Sequence, residues 1–395
     1  MNKISKKLMA LALCGALLVP TGAMASEMDV VTSNEPVSLA DYENYINSAN
    51  GGIATRNAAN LSVQAFDYME AAVDEPELSD ILEEYHDVAG TREKTYEMFE
   101  ANLNGTYQEV EANDFTEEQA AQLLKSAADL ETGNAELTEF TPVDSDKIPA
   151  PPHADESDDA NNVDISLLSN SDISSRDGDE TGLGYEVKSL PGYNRTTADC
   201  YPGDCNIGDL PNFPGDIGAY MMYTISGGGG TQDLGIGYMG NGYWHPVVWG
   251  TWTGWATGPA KIAVGQKLYF KIWVGTDQHI YFQGLDGNNF SNILFQGDYT
   301  TWNMLPANGN GVTINRQITY AANEPQWKDH TGIYIKNARF DQAYIYNDYS
   351  YAQFNASNTD SAHRGKFGAK WAPVSNVTIN ANTHWYSETV SVDMT

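Results

Sequence analysis

The chain has 395 residues, with 53 acidic and 21 basic side chains and a formal net charge of −32. This charge argues against nucleic-acid binding, because phosphate contacts require lysine and arginine, and against anionic membrane surfaces. Residues 26–184 carry 37 acidic and 6 basic side chains, whereas all nine tryptophans lie between Trp244 and Trp385. The composition therefore divides the chain into an acidic front half and an aromatic back half.

Residues 1–25 have the features of a secretory signal peptide. Basic residues near the start precede an apolar run from Leu8 to Pro20, and an Ala-x-Ala cleavage site follows at positions 23–25. The apolar run is short for a membrane span, and no later segment is long and apolar enough for one. We therefore predict a secreted bacterial protein without membrane insertion.

Residues 26–140 form an acidic region in which residues 53–131 show helical spacing of apolar positions. One predicted helix carries Tyr96, Phe99 and Leu103 and is expected to end at 104–105, an Asn-Gly pair. Thr116 and Gln119 have the spacing of a capping box at the start of the next helix. We predict a small helical bundle; the alternative is a partly disordered pro-segment, because the like charges repel one another.

Residues 141–184 are predicted to be a disordered acidic linker. The stretch 142–152 is rich in proline, and 155–159 is a run of charged residues. Such a composition leaves little apolar surface to bury. A segment of this length is typical of a tether or a cleavage zone.

From residue 185 to 395 the apolar period changes to two, which indicates β-strands. The clearest pair is Lys267–Val274 and His279–Gln283, with a turn between them. Other runs of this type are Tyr220–Ile225, Asp233–Tyr238, Ile293–Phe295, Val312–Tyr320, Gly332–Ile335, Gln342–Tyr346, Val377–Asn380 and Thr389–Met394. Many short strands without helices between them predict an antiparallel β-sandwich of the jelly-roll, concanavalin-like type. The overall class is thus α + β with several domains.

Four segments of this half carry a family resemblance: Asp233–Tyr238, Trp244–Val247, Gly265–Ile272 and Ile280–Gly284. Together they resemble the β domain of YrpD-like secreted bacterial proteins, and more loosely they are similar to concanavalin-like sandwich domains. The resemblance covers residues 185–395. It implies export and a β fold, and it assigns no activity and no functional residue.

The tryptophans from 244 to 255 are the main candidates for ligand contact. Trp249, Trp252 and Trp255 recur at every third position, and Trp244 precedes them. The glycines at 250 and 254 favour a loop, in which exposed indoles could stack on the C–H faces of a sugar. The alternative is that the indoles fill the core of the sandwich.

Catalytic carboxylates are scarce in the back half, whose glutamates are Glu186, Glu324 and Glu388. A glycoside hydrolase needs two carboxyl groups that face one cleft, and no spacing singles out such a pair. Glu324 is the best single candidate for a catalytic acid, although a solvated loop residue is the simpler interpretation. We therefore lean against an enzyme.

Cys200 and Cys205 are the cysteines that remain after signal cleavage, and in an exported chain such a pair predicts a disulfide. Cofactors are not indicated. Asp204 and Asp286 lie in oxygen-rich loops that could hold Ca²⁺, but ordinary Asx-turns explain these loops equally well.

The function that these observations favour is non-catalytic binding of a polysaccharide or a cell-surface carbohydrate through the β-sandwich. A polysaccharide hydrolase or lyase on the same sandwich is one alternative. A secreted structural or adhesion protein, in which the helical front mediates self-association, is another.

Overall fold

The protein is described here by a computed structural model, and its chain divides into two compact units, 1–136 and 137–395. The described residues are 81, 85, 92–143, 174–180, 182–207, 217–228, 230–250, 253–301, 312–322, 332–348, 350–369, 372–383 and 385–394. Within them, no helix combines the length and the apolar character that a membrane span requires. The predicted signal peptide lies outside the described residues.

The first unit contains two described helices, α1 (Arg92–Asn113) and α2 (Glu117–Glu131). The predicted capping box is confirmed: Gln119 N donates to Thr116 Oγ1, and Thr116 N donates to Gln119 Oε1. The apolar face predicted for α2 is buried along its length, at Ala120, Leu123, Leu124, Ala127 and Leu130. Apolar spacing and capping therefore identified this helix correctly.

Helix α1 does not end at 104–105 as the Asn-Gly pair predicts, but continues to Asn113. Buried polar contacts hold its middle: Asn102 donates to Glu131 Oε2 at 3.1 Å and also to the Tyr85 hydroxyl. Tyr85 in turn donates to Glu131 at 2.7 Å. This tertiary network outweighs the cost of one glycine in a helix, which is about 1 kcal/mol.

The second unit is built of β-strands. They are β1 (Thr141–Pro142), β2 (Ser174–Glu180), β3 (Gly182–Ser189), β4 (Arg195–Tyr201), β5 (Asp204–Asn206), β6 (Ile217–Gly227), β7 (Gly230–Tyr238), β8 (Trp244–Gly250), β9 (Ala256–Thr257), β10 (Leu268–Val274), β11 (His279–Asp286), β12 (Asn289–Thr300), β13 (Thr313–Ala322), β14 (Tyr334–Tyr346), β15 (Tyr351–Gln353), β16 (Thr359–Ala369), β17 (Val377–Thr383) and β18 (Ser387–Asp393). A short 3₁₀ turn, Val374–Asn376, precedes β17.

These strands form two sheets, and the predicted sandwich is confirmed. The first sheet has the order β1-β9-β8-β7-β6-β13-β3-β16-β2, and the second has the order β12-β11-β10-β4-β14-β18-β17, with β5 and β15 paired to β14. The pairing is antiparallel except between β2 and β16. Two antiparallel layers around one core are what the period of two requires.

The sandwich unit begins before the predicted boundary at 185. Thr138 N donates to Gln296 O of β12 in the second sheet, and a few residues later β1 pairs with β9 of the first sheet. Phe140 packs against Phe282 of the core between these two contacts. Together with β2, this segment places both ends of the predicted linker in the sandwich, while 144–173 lie outside the described residues.

The inner faces of both sheets form one apolar core. In β10, for example, Leu268, Phe270, Ile272 and Val274 face the core, whereas the residues between them face outward. One ion pair crosses this core: Arg316 of β13 donates from Nε and Nη2 to the two carboxylate oxygens of Glu388 in β18, at 2.9 and 2.8 Å. Because both side chains are fully buried, this bidentate pair links the two sheets at one register.

The predicted disulfide is wrong, because Cys200 and Cys205 are free, buried thiols. Their strands β4 and β5 pair with the same strand, β14, where Cys200 lies opposite Phe340 and Cys205 opposite Ile335. With a rise of about 3.3 Å per residue along β14, the cysteines are more than about 10 Å apart. A disulfide needs Cα atoms within about 7 Å. Burial also raises the pKa of both thiols, which keeps them protonated.

Candidate functional site

The predicted tryptophan surface begins with Trp244, the first residue of β8. Trp244 is fully buried in the core between the sheets, and its Nε1 donates to the carbonyl oxygen of Gly203 at 3.0 Å. The prediction that Trp244 contacts a ligand is therefore corrected. The side chain anchors the start of β8 to the segment that joins β4 and β5.

Trp249 and Trp255 lie on the outer face of the first sheet. Trp255 is 5% exposed and packs edge-on against Tyr220, with 5.7 Å between the ring centroids. Trp249 is half-buried and packs against the same small apolar cluster. Trp252 lies outside the described residues. The two described indoles therefore contribute packing on this face, and Trp255 presents almost no surface to a ligand.

The hairpin turn between β7 and β8 displays a different aromatic ring. Tyr243 is 41% exposed, although its neighbour Trp244 is fully buried. Around this ring, Lys261 Nζ lies 5.4 Å from the ring centroid, and Asn241 Nδ2 lies 2.8 Å from His245 Nε2. The backbone N–H of Tyr243 donates to Asn241 Oδ1 at 3.1 Å. We call Asn241, Tyr243, His245 and Lys261 the Tyr243 patch.

The Tyr243 patch combines a ring with neutral and cationic hydrogen-bonding groups. Burial lowers the pKa of His245, and the nearby Lys261 acts in the same direction, so the imidazole is neutral at pH 7. Gly240 and Gly242 adopt positive φ angles of 78° and 85°, which fix the turn that carries the ring. The ligand contacts predicted from the sequence were the nearby tryptophans and did not include Tyr243.

The outer face of the second sheet carries a stacked column of rings. Trp273 of β10 stacks on Tyr281 of β11 at 5.3 Å, and Tyr281 stacks on His279 at 5.7 Å. Lys271 Nζ and Arg195 Cζ lie 4.7 and 5.4 Å from the Trp273 ring centroid. Trp273 and Tyr281 are each 2% exposed, so this part of the outward face is buried although its side chains are charged and aromatic.

At the end of this column, one imidazole joins a hydroxyl to a carboxylate. His279 Nδ1 lies 3.0 Å from Asp298 Oδ2, and His279 Nε2 lies 3.1 Å from Thr300 Oγ1. The register of β11 and β12 places Thr300 directly opposite His279, and Asp298 opposite Tyr281. The catalytic candidates that the sequence offered were glutamates, so His279 was missed. The spacing of Asp298 and Thr300 at i and i+2, on one face of a strand, was the available signal.

The same outer face also brings two aspartates together. Asp199 of β4 lies opposite Asp341 of β14, and Lys267 Nζ is 2.8 Å from Asp199 Oδ2. Burial raises the pKa of Asp199, while the hydrogen bond from Lys267 opposes that shift. Arg339 lies 4.0 Å from Asp341 and stacks over the Tyr201 ring at 3.7 Å. Since each carboxylate has its own cation, the group forms a ladder of ion pairs.

The two described glutamates of the back half, Glu186 and Glu388, do not form a catalytic pair. Glu186 is buried and accepts a hydrogen bond from Asn315 Nδ2 at 2.9 Å, and Glu388 is held by Arg316 in the core. Glu324, the candidate acid, lies outside the described residues, so its role stays a prediction.

The two calcium candidates differ in their surroundings. Asp286 accepts from Asn288 N at 2.9 Å and from Asn292 Nδ2 at 3.4 Å, as an Asx-turn does. Asp204 is an exposed residue of β5. Across the described ranges, no three His, Cys, Asp or Glu side chains come together as possible ligands of one metal ion.

Comparison with known proteins returns a likeness of fold. No protein-family model and no curated protein matches the chain. Among solved structures, scytalido-glutamic peptidase with a transition state analog inhibitor matches with a TM-score of 0.38 and 7% identity, over 54% of this chain and 98% of that one. SCP-B, an eqolisin-family peptidase in complex with the tripeptide Ala-Ile-His, matches with a TM-score of 0.33 and 10% identity, over 54% and 98%. Both matches concern the two-sheet β-sandwich alone.

Proposed function

We propose that this chain is an exported carbohydrate-binding protein whose contact surface is the Tyr243 patch. The observation that carries the proposal is the 41% exposure of an aromatic ring beside a fully buried indole. An aromatic ring that a turn holds at the surface, with hydrogen-bonding groups beside it, has the composition of a ligand contact. The proposal thus keeps the function that the sequence favours and moves it from the tryptophans to their neighbour.

The chemistry of the Tyr243 patch suits a neutral sugar. A pyranose presents an apolar C–H face to an aromatic ring and hydroxyl groups at its edge. Lys261 lies over the Tyr243 ring at 5.4 Å, so we expect the sugar on the opposite side of the ring. The second Nδ2 hydrogen of Asn241 and the Lys261 ammonium group supply donors for the hydroxyl groups, while Nε2 of the neutral His245 accepts from Asn241. The net charge of −32 disfavours anionic polysaccharides.

Binding to immobilised neutral polysaccharides tests the proposal. We expect Tyr243→Ala to weaken retention at least about tenfold, which corresponds to about 1.4 kcal/mol. Tyr243→Phe keeps the ring and is expected to bind within about threefold of the parent chain, because stacking is the main contribution. Thermal melting of each variant checks that the fold is unchanged, since an exposed ring contributes little to stability.

Leu190→Ala is the matched control, because Leu190 is 43% exposed and lies in a different turn of the same unit. It should leave binding unchanged. Equal retention of the Tyr243→Ala variant and the parent chain would refute the contact surface. A parent chain that no neutral polysaccharide retains would refute the carbohydrate function itself.

A further inference from the structure

We propose that Thr300, His279 and Asp298 form a catalytic site that hydrolyses carboxylic esters through acyl transfer to Thr300 Oγ1. The three residues meet two geometric requirements of nucleophilic catalysis: a hydroxyl in contact with a base, and a base held by a third group. The distances are 3.1 Å from Oγ1 to Nε2 and 3.0 Å from Nδ1 to Asp298 Oδ2. This activity is independent of the Tyr243 patch.

The hydrogen bonds determine where the protons lie. An ionised carboxylate only accepts, so the Nδ1 atom of His279 carries the proton that it shares with Asp298. The Nε2 atom of a neutral imidazole then has a lone pair, and the Thr300 hydroxyl must donate to it. This is the tautomer that a general base needs in order to remove a proton from the hydroxyl.

The turn between β10 and β11 holds both Thr300 and His279 in place. Thr301, next to the nucleophile, donates from N and Oγ1 to Gln278 O at 3.0 and 2.6 Å. Asp277 accepts from His279 N at 3.2 Å and from the Tyr281 hydroxyl at 2.6 Å. Because Tyr281 stacks on the His279 ring, these bonds fix the plane of the imidazole.

The turn also requires a glycine. A Cβ atom at Gly275 would lie 2.5 Å from Asp277 Oδ1 and 2.7 Å from the Tyr281 ring. Any other residue would therefore displace the two side chains that orient the base. The close packing at this position supports a preorganised site.

The site is accessible and acidic. The side chains of His279 and Asp298 are each 27% exposed, and Thr300 is an exposed residue. Asp298 adjoins the imidazole, Asp277 accepts from the backbone N–H of His279, and no lysine or arginine forms an ion pair with Asp298 among the described residues. An anionic substrate would be repelled, so the ester that fits is neutral or cationic.

The reaction balances without a cofactor. Thr300 Oγ1 attacks the ester carbonyl while His279 Nε2 takes its proton, and the proton then passes to the departing alkoxide, which leaves as an alcohol. Water adds to the acyl-threonine with His279 again as base. The C–O bond to Thr300 breaks, the acid is released and the hydroxyl regains its proton. Asp298 stabilises the imidazolium that forms in each step.

Hydrolysis of p-nitrophenyl acetate by the full chain tests the proposal. Thr300→Ala and His279→Gln should each lower kcat/KM at least about tenfold, as loss of a nucleophile or base does. Thr300→Ser keeps the hydroxyl and should retain the rate within about threefold. Mass spectrometry of the acid-quenched reaction should find an acetyl group on Thr300.

His363→Gln is the matched control, because His363 Nδ1 also contacts a carboxylate, Asp360 Oδ2, at 2.9 Å. Within the described residues, no hydroxyl group is hydrogen-bonded to the other nitrogen of His363. This variant should react like the parent chain. A Thr300→Ala variant as fast as the parent chain overturns the proposal, and so does a parent rate that depends equally on His363 and His279.

Discussion

The outer faces of the two sheets each carry a buried patch, one around Trp255 and one around Trp273, and the two patches differ in chemistry. The first sheet covers its face with apolar side chains around Trp255. The second sheet presents Arg195 and Lys271 against Trp273, which stacks on Tyr281. The buried patch of the first sheet is therefore apolar, whereas that of the second sheet combines aromatic rings with cations that lie over them.

The two faces also differ in how they accommodate a buried carboxyl group. On the first face, burial raises the pKa of Asp233 to about 8, and Thr224 Oγ1 donates to its carboxyl oxygen at 2.5 Å. On the second face, Asp199 has Lys267 as an ion-pair partner. The first face is thus predicted to keep an uncharged acid near neutral pH, whereas the second supports charges and the proton relay at His279.

The largest expected effect is on the packing of the first face. Trp255→Ala should lower the free energy of unfolding by about 3–5 kcal/mol, because a buried indole leaves a large cavity. Urea denaturation measures this loss. Tyr243→Ala is the matched aromatic truncation at an exposed site and should cost less than about 0.5 kcal/mol. A loss below about 1 kcal/mol for Trp255→Ala would show that this face is not packed.

The sequence predicted the sandwich because the residues that face the core are apolar at every second position of a strand. Leu268, Phe270 and Ile272 alternate as one apolar face. The outer neighbours Tyr269 and Trp273 are also buried, so periodicity could not separate the two faces. Burial on both sides of a strand removes the alternation on which such a prediction depends.

Irregular backbone explains the errors in strand boundaries. The runs predicted at 332–335 and 342–346 belong to one strand, β14. Asn337 and Gln342 have positive φ angles of 58° and 49°, and the pairing of β14 shifts register near both residues. Such bulges break the period of two, and no glycine marks either position. β4 was missed because its threonines, aspartate and cysteine give no alternating pattern.

The candidate sites depended on register, which the sequence does not contain. His279 meets Thr300 because β11 and β12 pair at that position, and a shift by one residue would place the hydroxyl on the opposite face. The disulfide prediction was wrong for the same reason, because β4 and β5 pair with successive segments of β14 and so hold the two cysteines apart. The sequence predicted Trp244 rather than Tyr243 as a ligand contact, because the burial of an indole cannot be predicted from the residue type alone.

The next largest effect is a pH dependence on the first face. With a pKa of about 8 in the fold and an ordinary value near 3.8 in the unfolded chain, Asp233 binds a proton mainly in the folded state between these values. Its contribution to stability is present below about pH 4 and is lost as the pH rises towards 8. The limiting slope is about 1.4 kcal/mol per pH unit.

Asp233→Asn removes that titration and should flatten the decline in stability between pH 5 and pH 8, measured by urea denaturation. Glu139→Gln is the control, because Glu139 is an exposed residue of the same unit. It should keep the slope of the parent chain. An unchanged slope in the Asp233 variant would mean that the carboxyl group is ionised in the fold, and the contrast between the faces would lose its electrostatic part.

The smallest effect concerns the ion-pair ladder on the second face. Lys267→Met should cost about 1 kcal/mol, because the lysine is 30% exposed and water screens part of its attraction to Asp199. Asp199 would then face Asp341 without its cation, so its raised pKa should rise further and stability should decline more steeply above the ordinary aspartate range.

Adding Asp341→Asn to Lys267→Met removes the repulsion and should recover part of the loss, as a double-mutant cycle in urea would measure. Recovery would show that Lys267 reduces the repulsion between Asp199 and Asp341. We expect such repulsion where charged side chains are partly shielded from water. Independent, additive effects would instead mean that water already screens the two aspartates from each other. The ladder would then be an ordinary set of surface ion pairs, and burial alone would not distinguish the second face from the first.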